Sequence, residues 1–464
     1  MVKLDKAIFR EYDIRGRVPE QLDEKKVALL AKGFAAFFLH NKIKEVAVSC
    51  DNRLSSPKFK EIICNELSSA GLNVIDFGLT STGMHYFALF KHDLNAGIMI
   101  TASHLSKEHN GFKISLNKTT IYGAQIQLIR ELIEEKDFVW LETEHSVRKG
   151  IIKQQSILQD YFNAIKENIK LNKKLKVAID CANGTSSLLA KELFEALGCN
   201  VLPLYCNSDG SYPNHEADPT KEENLADLID LVLKEKADLG ISFDGDADRL
   251  GVIDDKGNII FGDILLALFS KDILKRRPNS KIIFEVKCSN ALIEEIKKNN
   301  GIPLMWKTGH SLIKKKLLEE NAVLAGEMSG HFFFNDKWFG FDDGIYAAAR
   351  LLELLSNSNQ KLSKLTEKIP HYFSTPEIHL NVREEEKFEL IEKLKKELLK
   401  EYDAITIDGI RVIFPDGWAL IRASNTSSKL VLRFEANSKE HLQRIKEIIT
   451  EKLLEIKPSF RIEF

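Results

Sequence analysis

Residues 176–205 read KVAIDCANGTSSLLAKELFEALGCNVLPLY. The β-branched apolar run at its start has the pattern of a buried strand. A turn through Cys181 and Asn183 follows, then an amphipathic helix ending at Gly198, and a second apolar run closes the unit. Glycine at a helix end takes the left-handed conformation without steric cost. The same order recurs at residues 45–78 (EVAVSCDNRLSSPKFKEIICNELSSAGLNVIDFG) and 281–307 (KIIFEVKCSNALIEEIKKNNGIPLMWK). Their turns carry Cys50 with Asn52 and Cys288 with Asn290, and their helices end at Gly71 and Gly301. Any α/β protein repeats β-α-β units; the shared Cys–Asn turn is what favours duplication of a domain. Ligands of open α/β sheets bind beyond the carboxyl ends of the strands, so these three turns are expected to wall a site.

The chain has 464 residues, too many for one core and suited to three or four domains. Apolar residues make up 44% and charged residues 29%, an ordinary globular composition that excludes disorder over most of the chain. Lys plus Arg number 66 against 68 Asp plus Glu, so a protein that coats nucleic acid is excluded. Met1 to Gly16 holds charged residues throughout and no apolar signal region, and no long uncharged apolar run occurs, which predicts a cytoplasmic protein without membrane contact. The cysteines at 50, 64, 181, 199, 206 and 288 form no C-x-x-C pair, so neither a disulfide framework nor a cysteine zinc site is expected. The sequons at Asn117, Asn183 and Asn425 then read as chance. Beyond Pro370 the pattern changes to a charged amphipathic helix over 384–403, short strands near 405–407, 409–414, 418–422 and 430–435, and a last helix from Lys439. That is a small α+β domain, with Pro370 and Pro376 bracketing its linker.

Four segments carry chemistry. Thr101-Ala-Ser-His-Leu-Ser-Lys-Glu-His-Asn-Gly-Phe-Lys113 follows an apolar strand, placing Ser103 just past its end beside His104. A serine there suits phosphoryl transfer when cations steady the charge, and equally suits a capping turn. Asp244, Asp246 and Asp248 alternate with small residues between two apolar strands. Three crowded carboxylates call for a hard cation, and Mg²⁺ fits oxygen ligands. The loop fails the EF-hand template, with Arg249 at position six and Asp255 at position twelve. It also fails a D-x-D-x-[TV] pattern, because Asp248 occupies the last place. Gly326-Glu-Met-Ser-Gly-His331 offers a carboxylate and a hydroxyl that can grip neighbouring sugar hydroxyls, or is a polar loop. Arg422-Ala-Ser-Asn-Thr-Ser-Ser-Lys429 suits a phosphate, or is a simple hairpin loop. Together these parts point to phosphate chemistry on a polyhydroxyl substrate in a cleft where the domains meet.

From Phe9-Arg-Glu-Tyr-Asp-Ile-Arg-Gly16 through Arg422–Thr426 and Leu432-Arg-Phe-Glu-Ala436, the chain resembles the α-D-phosphohexomutase superfamily, in its bacterial phosphomannomutase/phosphoglucomutase branch. The resemblance implies three related α/β domains with mixed sheets and a small C-terminal α+β domain around a central cleft, with boundaries 1–150, 151–256, 257–370 and 371–464. It implies that Ser103 carries the phosphoryl group and that Asp244, Asp246 and Asp248, with a phosphoserine oxygen, hold Mg²⁺. Arg15, His104, Lys113 and Arg249 match residues around the transferring group. Glu327 and Ser329 match the sugar-reading pair, with His331 beside them, and Lys287 and His310 match further ligand contacts. Arg422, Ser424, Asn425 and Thr426 match the grip on the other phosphate. The implied reaction passes through a hexose 1,6-bisphosphate that turns end for end, which gives the last domain the role of a lid. The partners implied are small sugar phosphates, with a monomer or weak homo-oligomer.

The family's serine loop usually continues Asn-Pro, where this chain has Leu105-Ser106, and loss of the rigid proline is expected to loosen the loop. Met328 in the sugar loop favours mannose and glucose phosphates over glucosamine phosphate. A non-catalytic sugar-phosphate-binding relative and a phosphatase are the alternatives of other classes.

Overall fold

The computed structural model describes residues 3–136, 138, 148–425 and 427–462. Three mixed sheets repeat one plan. In the first, Glu45–Cys50 lies between Asn73–Leu79 and Ala96–Ile100, all parallel, and His109–Leu116 adds antiparallel to the last. In the second, Lys176–Asp180 lies between Asn200–Leu204 and Leu239–Phe243, with Leu250–Asp254 antiparallel beyond. In the third, Lys281–Glu285 lies between Ile302–Trp306 and Leu324–Gly326, with Phe332–Phe334 antiparallel beyond. A helix links the first two parallel strands of each copy: Ser56–Ser69, Ala190–Ala196 and Asn290–Lys298. Another leads to the third: Thr82–Lys91, Ala226–Glu235 and His310–Glu319.

The fourth sheet is antiparallel, built on Ile410–Phe414, Gly417–Ala423 and Lys429–Ala436. Helices Lys387–Leu398 and Lys439–Ile456 pack on it around Leu394, Ile421, Phe434 and Ile449. The fold is therefore three related α/β domains and a smaller α+β domain. No helix of the described residues is long and apolar enough to cross a membrane.

Several expectations shift. Ile152–Gln154 pairs with Asn73–Leu79, and Ile259–Ile260 pairs with Leu250–Asp254, so the first two sheets run past the expected boundaries at 150 and 256. Edge pairing of such short strands leaves no periodic signal in sequence. The charged helix expected over 384–403 is ordered as helix only at Lys387–Leu398. Gly71 and Gly198 have φ of +87° and +104°, as a helix end requires, but in the third unit Asn300 takes that conformation at φ 58°. Gly301 instead makes room: a Cβ there would lie 2.6 Å from Leu274 Cδ1.

The three larger domains share one apolar core, including Phe87 of the first, Tyr161 of the second and Trp338 of the third. Trp338 lies parallel to Phe87 at 5.5 Å and to Tyr346 at 4.3 Å, and meets Tyr161 edge-on at 6.2 Å. Its removal leaves a cavity where three domains meet. Trp338→Ala is expected to cost about 3–5 kcal/mol and to lower the thermal midpoint of the whole three-domain unit in calorimetry. A transition confined to the third domain would show that the cores are uncoupled.

Candidate active site

The loops that carry chemistry occupy one topological place. In each copy it is the turn between the third parallel strand and its antiparallel neighbour: residues 101–108, 244–249 and 327–331. The Cys–Asn turns, expected to wall the site, serve mainly as joints. Asn52 donates its amide to the Asn183 carbonyl at 2.6 Å, tying domain 1 to domain 2. Asn290 accepts from Arg411 at 2.9 Å, tying domain 3 to domain 4. These turns follow the first, central strand of each sheet and face the neighbouring domain; of the three, the last also supplies a cleft residue, Lys287.

Ser103 is buried, with φ of +52°, a left-handed conformation unusual for serine. Its hydroxyl donates to Asp244 Oδ2 at 2.8 Å and lies 3.1 Å from His104 Nδ1. Burial, then the nearby Arg249 and Arg15 charges, push the His104 imidazole well below its ordinary range, which favours the neutral ring. Arg15 is held by Asp13 at 2.6 Å and reaches the Ala102 carbonyl at 3.4 Å.

The strain at Ser103 is maintained by a residue that the sequence reading passed over. Arg53, fully buried in the first Cys–Asn turn, donates to the carbonyls of Ser103, Leu105, Ser106 and His109 at 2.5–2.9 Å. Asp51 pairs with it at 3.2 Å and the Tyr212 ring covers it at 5.4 Å. Ser106 Oγ adds a contact to His109 Nδ1 at 3.0 Å. The loop that Leu105-Ser106 is expected to loosen is thus clamped from within: a guanidinium fork and a serine do the fixing that proline would do.

Asp244, Asp246 and Asp248 are buried, with ligand oxygens within 4.8 Å of one another. Asp244 Oδ1 accepts the N–H groups of Asp248 and Arg249 at 3.0 and 3.1 Å. Thr82 and Lys113 of domain 1 each donate to Asp246 Oδ2 at 2.7 Å, and Lys113 also donates to Asp248. Burial, then Asp248 and Asp246, drive Asp244 well above the usual carboxylate range. Burial opposes charge at Asp248 too, but Lys113 and His331 outweigh it and hold Asp248 well below that range. Burial likewise works against charge on Lys113, and its two aspartates more than offset it. Lys113 thus lies beneath the aspartate loop and does not open on the cleft. Asp246 Oδ1 is buried without a hydrogen-bond partner. An orphaned carboxylate oxygen beside two further carboxylates fits a hard divalent cation such as Mg²⁺.

The third loop closes onto the second. His331 lies 3.2 Å from Asp248 Oδ1 and 3.0 Å from Glu327 Oε2, and these carboxylates outweigh burial to raise its imidazole to about 9. Glu327 also accepts the Gly309 N–H at 2.7 Å, and Ser329 Oγ is 3.3 Å from His331 Nδ1. His310 stacks on His331 at 5.7 Å and lies 3.2 Å from Asp342.

A cleft of about 1030 Å³ runs from these loops to domain 4. Arg15, His104, Arg249, Lys287, His310, Glu327, Ser329, His331, Arg422, Ser424 and Asn425 line it; Thr426 lies outside the described residues. Arg422 is held by Asp408 at 3.0 Å, and Lys287 by Glu377 at 2.7 Å. Tyr12, in the quoted stretch Phe9–Gly16 but unassigned there, donates to the Thr308 carbonyl at 2.6 Å and accepts from Asn425. One phenol thus joins three domains.

Arg53→Lys is expected to fold and to lose about 10²-fold in turnover, because the loop shifts once the planar fork is gone. Arg53→Met also leaves Asp51 unpaired and is expected to lose about 3–5 kcal/mol in thermal unfolding. Wild-type turnover in Arg53→Lys would exclude a positioning role.

Four family models match along the chain: Phosphoglucomutase/phosphomannomutase alpha/beta/alpha domains I, II and III over residues 6–140, 159–257 and 261–373, and its C-terminal domain over 377–452. A phosphomannomutase/phosphoglucomutase of Pseudomonas aeruginosa is 45% identical over 99% of this chain and 98% of its own length. A phosphoglucomutase of Neisseria gonorrhoeae is 42% identical over 96% of both. The crystal structure of a phosphoglucomutase/phosphomannomutase family protein from Burkholderia thailandensis superposes with a TM-score of 0.93 at 39% identity, covering both chains completely. With all four domain models matched in order and relatives of this identity along its length, the chain belongs to the phosphoglucomutase/phosphomannomutase family of the α-D-phosphohexomutase superfamily.

Proposed function

We propose that this protein interconverts hexose 1-phosphates and hexose 6-phosphates, with glucose and mannose as the sugars, by way of a phosphoryl group on Ser103. The observation that carries the reading is the meeting of Ser103 Oγ with His104 and Asp244 beside a cleft lined by Arg15, Arg249 and Arg422. A serine that alternately gives and takes a phosphoryl group needs a fixed oxygen, a place for its proton and cations for the charge that develops. Arg53 fixes the backbone, His104 Nδ1 is within reach of the hydroxyl, and Arg15 and Arg249 both line the cleft.

Asp244, Asp246 and Asp248, with an oxygen of phosphoserine 103, would hold Mg²⁺, which when bound neutralises charge on the transferring group. Lys113 anchors two of those carboxylates from below. Arg422, Ser424 and Asn425, together with Thr426, take the phosphate that is not being transferred, while Glu327 and Ser329 read sugar hydroxyls. The residues proposed for the two phosphates line the same cleft. A hexose 1,6-bisphosphate, intermediate and activator alike, exchanges its ends between these two groups by turning within that volume, which matches the largest small-molecule cavities. The setting proposed is cytoplasmic, with the chain a monomer or weak homo-oligomer.

The purified protein is expected to carry a phosphoryl adduct on Ser103 by mass spectrometry. Ser103→Ala should lose roughly 10³-fold or more in turnover with its thermal midpoint kept. Near-wild-type activity in that variant, with hexose 1,6-bisphosphate supplied, would remove Ser103 from the reaction. Chelation of divalent cations should abolish turnover, and Asp246→Asn should raise the Mg²⁺ concentration needed for half-maximal rate; an unchanged titration counts against the metal loop. Comparison of glucose, mannose and glucosamine 1-phosphates tests the sugar, and faster turnover of glucosamine 1-phosphate would overturn the assignment.

A further inference from the structure

Cys181 and Cys206 lie just beyond the ends of two neighbouring parallel strands, Lys176–Asp180 and Asn200–Leu204. Their sulfurs are 3.1 Å apart. About 1 Å of approach reaches the disulfide length of about 2.0 Å. Backbone bonds hold the two residues in register: Cys181 N–H donates to the Leu204 carbonyl at 3.1 Å and Asn183 N–H to the Tyr205 carbonyl at 2.9 Å. The pair is asymmetric, since Cys206 is half-buried and Cys181 fully buried. Cys206 Sγ donates toward Cys181 Sγ and lies 3.3 Å from the Leu204 carbonyl, so the two sulfurs already face each other. The more exposed Cys206 is thus the sulfur that an oxidant from solvent reaches first, with the buried Cys181 as its resolving partner.

The turn opened by Cys181 is a rigid link to the aspartate loop. Ala182 and Asn183 are both left-handed, with φ of 46° and 56°. Thr185 donates through its N–H and hydroxyl to the Gly245 carbonyl at 2.9 and 3.1 Å. A Cβ on Gly184 would sit 2.8 Å from that same oxygen, so the two turns touch without slack. On the Cys206 side, Asn207 accepts from Asn183 at 2.8 Å and Ser208 from Asn52 at 3.0 Å. Movement of either sulfur is therefore passed to the joint between domains 1 and 2 and to Gly245, which lies between Asp244 and Asp246.

We propose that Cys181 and Cys206 are a redox switch, closed by a peroxide into an intramolecular disulfide that displaces the aspartate loop and slows turnover. The Cys206 thiolate attacks the O–O bond of hydrogen peroxide, giving a sulfenic acid and hydroxide, which takes up a proton to become water. The Cys181 sulfur then displaces hydroxide from the sulfenic sulfur, forming the S–S bond, and its proton leaves with that hydroxide as a second water. Two thiols lose two electrons and two protons, and one peroxide becomes two waters. A small dithiol reverses the step by thiol–disulfide exchange.

The slowing of turnover rests on the mutase reading, whereas bridge formation and loop displacement are measured without substrate. The intact protein is treated with hydrogen peroxide, mapped by mass spectrometry without reduction, and followed by hydrogen exchange. A Cys181–Cys206 peptide is expected before oxidation of the other four cysteines, with altered exchange at Asp244–Arg249. A kcat lower by up to roughly 10²-fold is expected with it, the loss that a misplacement of about 1 Å at the site can cause, and dithiothreitol should restore it. Cys206→Ser should keep the basal rate and lose both the bridge and the peroxide response. No bridged peptide, a bridge with unchanged exchange or turnover, or equal inhibition of Cys206→Ser each overturns the switch. A reduced protein inactive on every hexose phosphate, yet showing bridge and altered exchange, fails the mutase reading alone.

Discussion

Three carboxylates buried within one loop are an unstable arrangement by themselves. Removing a charge from water costs several kcal/mol even after relaxation, and Asp244, Asp246 and Asp248 repel one another as well. The neutralising charge beneath them comes from Lys113 of the neighbouring domain, and the next contacts come from Thr82 and from His331 of the third domain. Docking of the first three domains thus stabilises the loop. Geometry at the site and docking of the domains are one constraint, and the shared aromatic junction at Trp338 serves it by holding the three sheets at a fixed spacing.

Repetition of one domain plan explains how chemistry of three kinds converges. The turn from the third parallel strand to its antiparallel neighbour projects from the same end of each sheet. Three sheets arranged about a common centre bring three such turns together, and each copy fills its turn differently. One carries a strained serine, one a carboxylate cluster, and one a carboxylate, a hydroxyl and an imidazole. The Cys–Asn turns lie beside them and face neighbouring domains, so the same duplication also supplied the joints. Asn52 meeting Asn183 is a contact between equivalent turns of two copies.

What was legible in the sequence is what is local. Alternating aspartates between two apolar strands announce a cation site because all three carboxylates lie within five residues. The repeats show because a strand, a turn and a helix have their own periods. Partners far apart in the chain leave no such trace. Arg53 reads as one more charge in a turn until its fork is seen on carbonyls 50 to 56 residues away. Tyr12 meets Asn425 across 413 residues. The loss of Asn-Pro from the serine loop could not be weighed from the loop alone, because the guanidinium that compensates comes from another turn. Asn300 in place of Gly301 was hidden for a simpler reason: asparagine tolerates the left-handed region too, and here glycine answers a packing demand.

The same contrast between local and distant contacts sets how the fourth domain is held. At one end Arg411 is buried, donating to the carbonyls of Val286 and Cys288 at 2.6 and 2.8 Å and lying 3.7 Å from the Trp418 ring, while Glu435 binds both Trp418 and the Asn290 N–H. Separation there breaks these buried bonds together with the apolar packing of Val286 on Trp418 and Leu420. At the other end the contacts are Tyr12 with Asn425, Thr308 with Asp408, and Lys287 with Glu377, on groups that border the open cleft. Water replaces each of these at a net cost of about 0.5–1.5 kcal/mol, or up to about 3 where a charge is involved. The less costly separation of this domain is therefore on the side of the cleft. The exchangeable contacts lie next to Arg422 and Ser424, so a phosphate bound there, as proposed, would add charge-assisted bonds on that side. An occupied phosphate loop would thus hold the weaker side of the joint, which is what the proposed turning of a bisphosphate within the cleft requires.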